Sequence, residues 1–392
     1  MKNFTRILSY ILAFALGMGC AIMVFDFFPE ETGLEELIQP KDKLTELADL
    51  IEERFIGEAD RTLMEDAAAE GMIASLGDEW SYYISAADYD AHMEQMQNAY
   101  VGIGVTIQLR DDGYIDIVKV ESGGPAEEAG IQVGDMLISV NGLDCKELGM
   151  EGTRNTVRGE EGTTVDMTFV RDGQELNLTV ERRYFEVTVA ELKTVHDGIG
   201  IISIYNFDDR CADETIAAIE QALDQGANKL IFDVRNNPGG YKHELVEVLD
   251  YLLPEGPLFR SENYLGKEEV DESGPDYLDV PMAVLVNIES YSAAEFFAAA
   301  MSEYDAAVIV GSQTYGKGYF QQTYQLADGS AVGLSVGKYY TPNGVSLAGV
   351  GITPDVVEEV DDELFLEIYY GNVEPLDDPQ ILAAIEALKL EN

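Results

Sequence analysis

The sequence predicts a mixed α/β (α+β) chain with three textures in order: a helical lead-in, a glycine-punctuated β segment and a core in which strands alternate with helices. The lead-in rests on Leu44, Leu47, Ala48 and Ile51, and again on Leu63, Ala67 and Met72-Ile73, spaced by three and four between Leu34 and about Met96. The β segment rests on short apolar runs at 101–109, 114–120, 136–140, 165–170 and 176–180, with Asp112-Gly113 and Asp172-Gly173 as hairpin turns. The core rests on 199–204, then 213–223 with Ile216, Ile219, Ala222 and Leu223 on one face, then 230–234, which is βαβ order. No repeat or low-complexity tract interrupts this plan.

With 392 residues, 46% hydrophobic and 25% charged, the chain is long enough for two or three packed domains. Its net charge of −50 excludes polyanionic partners such as DNA, RNA or an anionic lipid surface. Three histidines (His92, His196, His243) and three cysteines (Cys20, Cys145, Cys211) are too few for the usual Cys/His zinc cages or a disulfide framework. Cys145 and Cys211 fall in different segments and are read as unpaired.

At the N-terminus, Lys2 and Arg6 precede an apolar run over 7–28, interrupted among polar groups only by Ser9 and Asp26. A stretch of about 20 apolar residues with its positive flank on the N-terminal side reads as a transmembrane anchor that leaves the rest of the chain outside. The alternative is a cleaved signal peptide, whose apolar part is usually shorter, roughly 7–15 residues.

Residues 100–105, Tyr-Val-Gly-Ile-Gly-Val, followed by Gly123-Gly124-Pro125-Ala126 through Gly134-Asp135 and by Asn141-Gly142, resemble a PDZ domain of the bacterial protease type. A glycine-bearing loop entering a strand can aim successive N–H groups at a C-terminal carboxylate while the strand edge pairs with the incoming tail. Gly102, Ile103, Gly104 and Val105 are the expected peptide-binding residues.

Three later segments match one family together: 233–240 (Asp-Val-Arg-Asn-Asn-Pro-Gly-Gly), 284–295 with Ser290-Tyr291-Ser292-Ala293-Ala294-Glu295, and 314–321 with Gly316-Lys317-Gly318. With Gly77-Asp78-Glu79-Trp80-Ser81-Tyr82-Tyr83 upstream and Tyr339-Tyr340-Thr341-Pro342 and Gly351-Ile352-Thr353-Pro354-Asp355 downstream, their order and spacing resemble the carboxyl-terminal processing peptidases, tail-specific serine proteases of family S41. The resemblance implies Ser292 as nucleophile, Lys317 as general base, Gln321 as the residue that orients the lysine, and the N–H groups of Gly240 and Ala293 as oxyanion hole, with Gly239 as the other register. The chemistry is coherent, because a serine hydroxyl needs a neighbouring base and a lysine serves only when burial lowers its pKa from about 10.4. This chain departs from the family pattern at Tyr291, usually a small residue, and at Ala294, often serine. Ser290 is the competing nucleophile, read as a turn or helix-entry serine.

Residues 311–317 also satisfy the first seven places of a phosphate-binding loop, but Gly318 stands where Ser or Thr is needed, and an alternating, strand-like run follows. His243 is read as a solvent-facing residue of a helix's first turn and His92 and His196 as surface residues.

By resemblance the fold is a crotonase-like core with an inserted PDZ domain: anchor 1–28, helical region 29–96, PDZ domain 97–184, peptidase core 185–360 and C-terminal helical segment 361–392. The implied function is a membrane-anchored serine endopeptidase on the extracytoplasmic side of a bacterial cell membrane. It would capture a protein substrate's free apolar C-terminus and cleave the adjoining chain without metal or cofactor. Arg158 occupies a position that in some members links PDZ occupancy to the active site. The resemblance also allows an adaptor lipoprotein as partner, and a homodimer through 379–390, where Ile381, Leu382, Ile385 and Leu388 recur at helical spacing. The reading from another class is a catalytically inactive PDZ scaffold that binds protein C-termini.

Overall fold

The computed structural model describes residues 42–121 and 123–390. The expected anchor over 1–28 lies outside them, and among the described residues no helix is long and apolar enough to cross a membrane. The chain forms two compact units that divide after Ser75.

The first unit contains the helices Lys43–Arg54 and Arg61–Ala74. Each starts at an aspartate whose side chain accepts a first-turn N–H, Asp42 from Thr45 and Asp60 from Leu63, satisfying a donor the helix itself leaves open. Arg61 joins them through ion pairs to Asp49 (2.9 Å) and Glu52 (3.3 Å).

The second unit is built on a six-stranded sheet ordered Ala190–His196, Ile199–Ile204, Lys229–Asp233, Met282–Val286, Ala307–Gly311, Val356–Val357. The first pair is antiparallel and the others parallel, so helical crossovers cover both faces. Strand alternation divides the core: Ile202, Ile204 and Phe232 pack beneath the helices Cys211–Asp224, Lys242–Leu252 and Ala293–Glu303. Ile199, Ile201 and Ile231 face the C-terminal helix Pro379–Leu390, whose Ile381, Ile385 and Leu388 are buried on them. Of the four residues read at helical spacing at the C-terminus, Ile381, Ile385 and Leu388 thus serve core packing within one chain, while Leu382 is exposed. Arg235, 3% exposed at its side chain, clamps this helix by ion pairs to Asp233 (2.6 Å) and Asp378 (2.8 Å) and a bond to Gln380.

A second, antiparallel sheet takes Tyr82–Ile84, Ala331–Tyr340, Gly256–Asn263 and Glu268–Ser273, with Tyr319–Gln325 also on Ala331–Tyr340. Phe259 and Tyr339 from this sheet pack edge-on against Phe296 of the helix Ala293–Glu303 and join the two layers. Residues 82–84 fall in the stretch expected to be helical. A three-residue run shows no periodicity of its own, and it becomes a strand by pairing with residues 331–333 far along the chain.

Between that strand and the main sheet lies a separate six-stranded antiparallel sheet, Val105–Leu109, Ile115–Val120, Met136–Val140, Thr164–Arg171, Gln174–Glu181, with Leu143–Asp144 also on Met136–Val140, the helices Pro125–Ala129 and Cys145–Val157 and its own core around Ile115, Leu137 and Phe169. The paired strands Ala99–Gly102 and Arg183–Glu186 bring its two ends together, so this domain is an insertion into the larger one. A cleft of about 610 Å³ between the two is lined by Lys119, Lys193, Tyr205 and Arg235, and neither Ser292 nor Lys317 borders it.

Candidate active site

Ser292 is the N-cap of the helix Ala293–Glu303 at φ +58°, ψ −124°, a conformation costly for a residue with a side chain, on the order of 1–3 kcal/mol. Packing and hydrogen bonds hold it there. Just upstream, Asn287 spans the strand ends, accepting the Asn236 N–H (3.0 Å) and donating to Asn236 Oδ1 (2.8 Å). Asn237 fixes the following turn, donating to Ile204 O (2.8 Å) and accepting the Gly239 N–H (2.8 Å). The Pro238-Gly239-Gly240 turn presses on the serine so closely that a Cβ on Gly239 would lie 2.7 Å from Ser292 Cβ and 2.8 Å from Ala293 N. Gly239 (φ +94°) and Gly240 (φ +149°) both need glycine's backbone freedom here.

The oxyanion register follows from these bonds. The Gly239 N–H is spent on Asn237, whereas among the described residues no acceptor takes the N–H of Gly240 or of Ala293. The turn next to Ser292 and the first residue of its helix thus each keep one N–H without an acceptor.

Glu295 ties the two chemical segments together, a role the sequence reading did not assign. Its fully buried carboxylate accepts N–H bonds from Ser292 (3.1 Å) and Lys317 (2.8 Å) on one oxygen, and bonds from Gly316 N (2.7 Å) and Thr314 Oγ1 (2.6 Å) on the other. Burial pushes its pKa up while these four donors favour the anion. The signal available in the sequence was a glutamate three residues past a helix-starting serine, the capping-box spacing.

Lys317 lies between Gly316 and Gly318, both buried. Burial lowers its pKa to about 8, against the opposing charges of Glu295 and Asp78. Its ammonium stands 4.4 Å from the ring centre of Trp80, and among the described residues no hydrogen bond joins it to Ser292 Oγ or to Gln321. Gln321, in the strand Tyr319–Gln325, donates instead to Ser335 Oγ (3.0 Å), so the structure does not bring it to the lysine.

The Tyr291 ring packs against Trp80 (6.2 Å) and Tyr315 (5.8 Å), which accommodates its bulk, and Ala294 is buried in the core. Ser290 is fully buried, with its hydroxyl donating to Val234 O (2.7 Å) and accepting from Asn287 N (3.0 Å), the behaviour of a turn serine. A strand, not a helix, follows Lys317, so the segment 311–317 lacks the helix N-terminus of a phosphate loop. His243 is exposed in the first turn of its helix and stacks on Tyr241. Among the described residues Cys145 and Cys211 form no disulfide, and they sit in separate cores.

In the inserted domain, Gly102 ends one strand, Val105 opens the edge strand, and the buried Ile103 and Gly104 (φ +78°) form the bend between them. Among the described residues the N–H groups of Ile103 and Gly104 donate to no backbone carbonyl. Arg158 is exposed and makes no ion pair among the described residues, though its charge acts on Tyr100. Buried Arg182 makes the local connection, donating to Val157 O (2.7 Å), Thr156 O (2.9 Å), Thr164 O (2.8 Å) and Thr163 Oγ1 (3.0 Å) at the end of the helix Cys145–Val157.

Residues 198–358 match the model of Peptidase family S41 and residues 117–171 that of the PDZ domain. A protein of Staphylococcus saprophyticus subsp. saprophyticus named "Probable CtpA-like serine protease" is 31% identical over 317 residues, 80% of this chain and 64% of that protein. One of the same name from Staphylococcus haemolyticus is 33% identical over 296 residues, 74% of this chain and 59% of that protein. The chain thus spans less than two thirds of the length of these relatives. A solved structure from Bacteroides fragilis, assigned to the S41 proteases, shares the fold with a TM-score of 0.59 at 16% identity, covering 93% of this chain and all of that one. Both family matches fall on the two domains that the fold separates: the core over 198–358 carries the match to peptidase family S41, and the domain inserted ahead of it carries the PDZ match.

Proposed function

We propose that the chain is a serine endopeptidase in which Ser292 attacks the peptide carbonyl, Lys317 takes the hydroxyl proton, and the N–H groups of Gly240 and Ala293 receive the developing oxyanion. The observation that carries this reading is the convergence of a strained serine, a desolvated lysine and two free N–H donors around the buried Glu295. An acyl-enzyme forms as the amine leaves with a proton returned by Lys317, and water then releases it by the reverse path. The relatives named as serine proteases support the same reading.

The PDZ domain captures the substrate's C-terminus. The N–H groups of Ile103 and Gly104 hold the carboxylate, the edge strand Val105–Leu109 pairs with the tail, and Val105, Ile107 and Met150, partly buried at the domain core, take apolar side chains. Residues 1–28 anchor the chain in the cell membrane with both domains on the extracytoplasmic side, where an adaptor lipoprotein can deliver substrates. The core belongs to the crotonase-like class. The experiment is cleavage of an unfolded protein carrying an apolar C-terminus, with the terminus free or amidated. The free carboxylate is expected to be cleaved faster by about tenfold or more at limiting substrate, since amidation removes the anion that the loop binds. Equal rates would remove the tail-capture step.

A further inference from the structure

Trp80 is the single tryptophan of the chain and stands two residues before the strand Tyr82–Ile84. Its ring lies 4.4 Å from Lys317 Nζ and also packs edge-on to Tyr315 (5.3 Å) and against Tyr291 (6.2 Å), the neighbours of Lys317 and Ser292 in sequence. The segment that carries it is fastened on both sides. Asp78 accepts the Ser81 hydroxyl and the backbone N–H of Trp80, Ser81 Oγ accepts the backbone N–H of Ser335 (3.1 Å), and Tyr315 donates its hydroxyl proton to Glu79 (2.5 Å). Among the described residues no hydrogen bond joins Lys317 Nζ to the hydroxyl it is expected to deprotonate.

An indole face attracts an ammonium and has little hold on a neutral amine, whereas a general base acts as the amine within hydrogen-bond reach of its proton. The two requirements place the same side chain in two positions. We propose that Trp80 is a positioning residue for Lys317: its ring holds the protonated side chain off the Ser292 hydroxyl, and the base engages once it loses that proton or a substrate moves the ring. This inference rests on the peptidase reading, with Lys317 as its base. The charges that face Lys317 are Glu295 from the helix Ala293–Glu303 and Asp78 from the Trp80 segment, while Glu79 and Glu289 act on Tyr315. Both carboxylates near the lysine favour its charged form, as does the ring.

The lone indole reports on this contact without any proteolysis. In the full chain held in detergent, tryptophan emission is expected to step with pH about a midpoint near 8, and the step is expected to vanish in Lys317→Met. Emission that stays flat between about pH 6.5 and 9.5, or the same step in Lys317→Met, overturns the proposal whether or not the chain cleaves peptides. The second arm is the pH profile of kcat/KM. Trp80→Leu, which keeps the site covered but removes the aromatic face, is expected to shift the low-pH limb downward by about half a unit, a threefold gain on the steep part of the limb, and Trp80→Phe to shift it less. A limb that stays in place in Trp80→Leu overturns the proposal. Should Trp80→Leu fail to fold, the emission of the unmodified chain decides.

Discussion

Glu295 accepts the backbone N–H of Lys317 at 2.8 Å, and the same oxygen takes the N–H of Ser292. A single buried carboxylate therefore sets the distance between the two segments that carry the proposed nucleophile and base. Its other oxygen holds Gly316 and Thr314, so the loop entering Lys317 has no independent place to go.

Replacing Glu295 tests that relationship. Glu295→Ala leaves up to four buried donors unpaired, each worth about 1–3 kcal/mol, and is expected to lower Tm steeply. Glu295→Gln keeps an acceptor toward part of the set, so its expected signature is a smaller Tm loss with kcat down by roughly tenfold or more. Thermal unfolding and single-turnover cleavage, run on both variants, separate the structural share from the catalytic one.

Gly240→Ala is expected to abolish activity. A Cβ there would lie 2.2 Å from Phe207 C and 2.6 Å from Asp208 N, so the turn must move and carry its free N–H away from Ser292. Loss of one oxyanion donor costs about 10²–10³ in kcat. Wild-type kcat in a folded Gly240→Ala chain would remove this N–H from the mechanism.

The pH dependence follows from Lys317. Burial lowers its pKa to about 8, and the base works only when neutral, so kcat/KM rises with pH, reaches half its plateau near pH 8 and levels off above it. A profile that falls across that range contradicts the assignment.

Asp208 predicts a pH dependence of stability. It is 9% exposed, its Oδ1 has no hydrogen-bond partner among the described residues, and burial followed by the charges of Asp209 and Glu244 raises its pKa to about 7. The folded pKa lies above the unfolded one, so the folded chain keeps a proton that the unfolded chain has released, and stability falls as pH rises from about 4 through 7. Asp208→Asn is expected to raise Tm at pH 8, by the equivalent of at most about 4 kcal/mol, and to change little at pH 4. Calorimetry at the two pH values reads the difference.

Much of the architecture was legible because its periods are local. The run 136–140 is a strand at its expected bounds, Asp172 and Gly173 form the expected turn with both φ angles positive, and Ile216, Ile219 and Ala222 lie on the helix between the expected strands. Ser292, Lys317, Gly240 and Ala293 were named from motifs, and in the fold the Gly239 N–H is bonded to Asn237 while that of Gly240 has no acceptor among the described residues. What stayed hidden depends on contacts between distant segments. Tyr82–Ile84 becomes a strand through residues 331–333, Trp80 meets Lys317 across more than two hundred residues, and Glu295 joins two loops that no sequence spacing relates. Gln321 and Arg158 show the converse. Motif spacing named them, but the Gln321 amide bonds Ser335, and Arg158 is exposed without an ion pair among the described residues.

The central claim is that Ser292 and Lys317 together break peptide bonds, and its most direct test is cleavage of an unfolded protein with a free apolar C-terminus by the full chain, Ser292→Ala and Lys317→Ala, measured side by side near pH 9. The account predicts cleavage by the unmodified chain and loss of at least about 10³-fold in each variant, with all three chains folded. Cleavage that persists in both variants, or a folded unmodified chain that cleaves nothing while binding the tail, would contradict it.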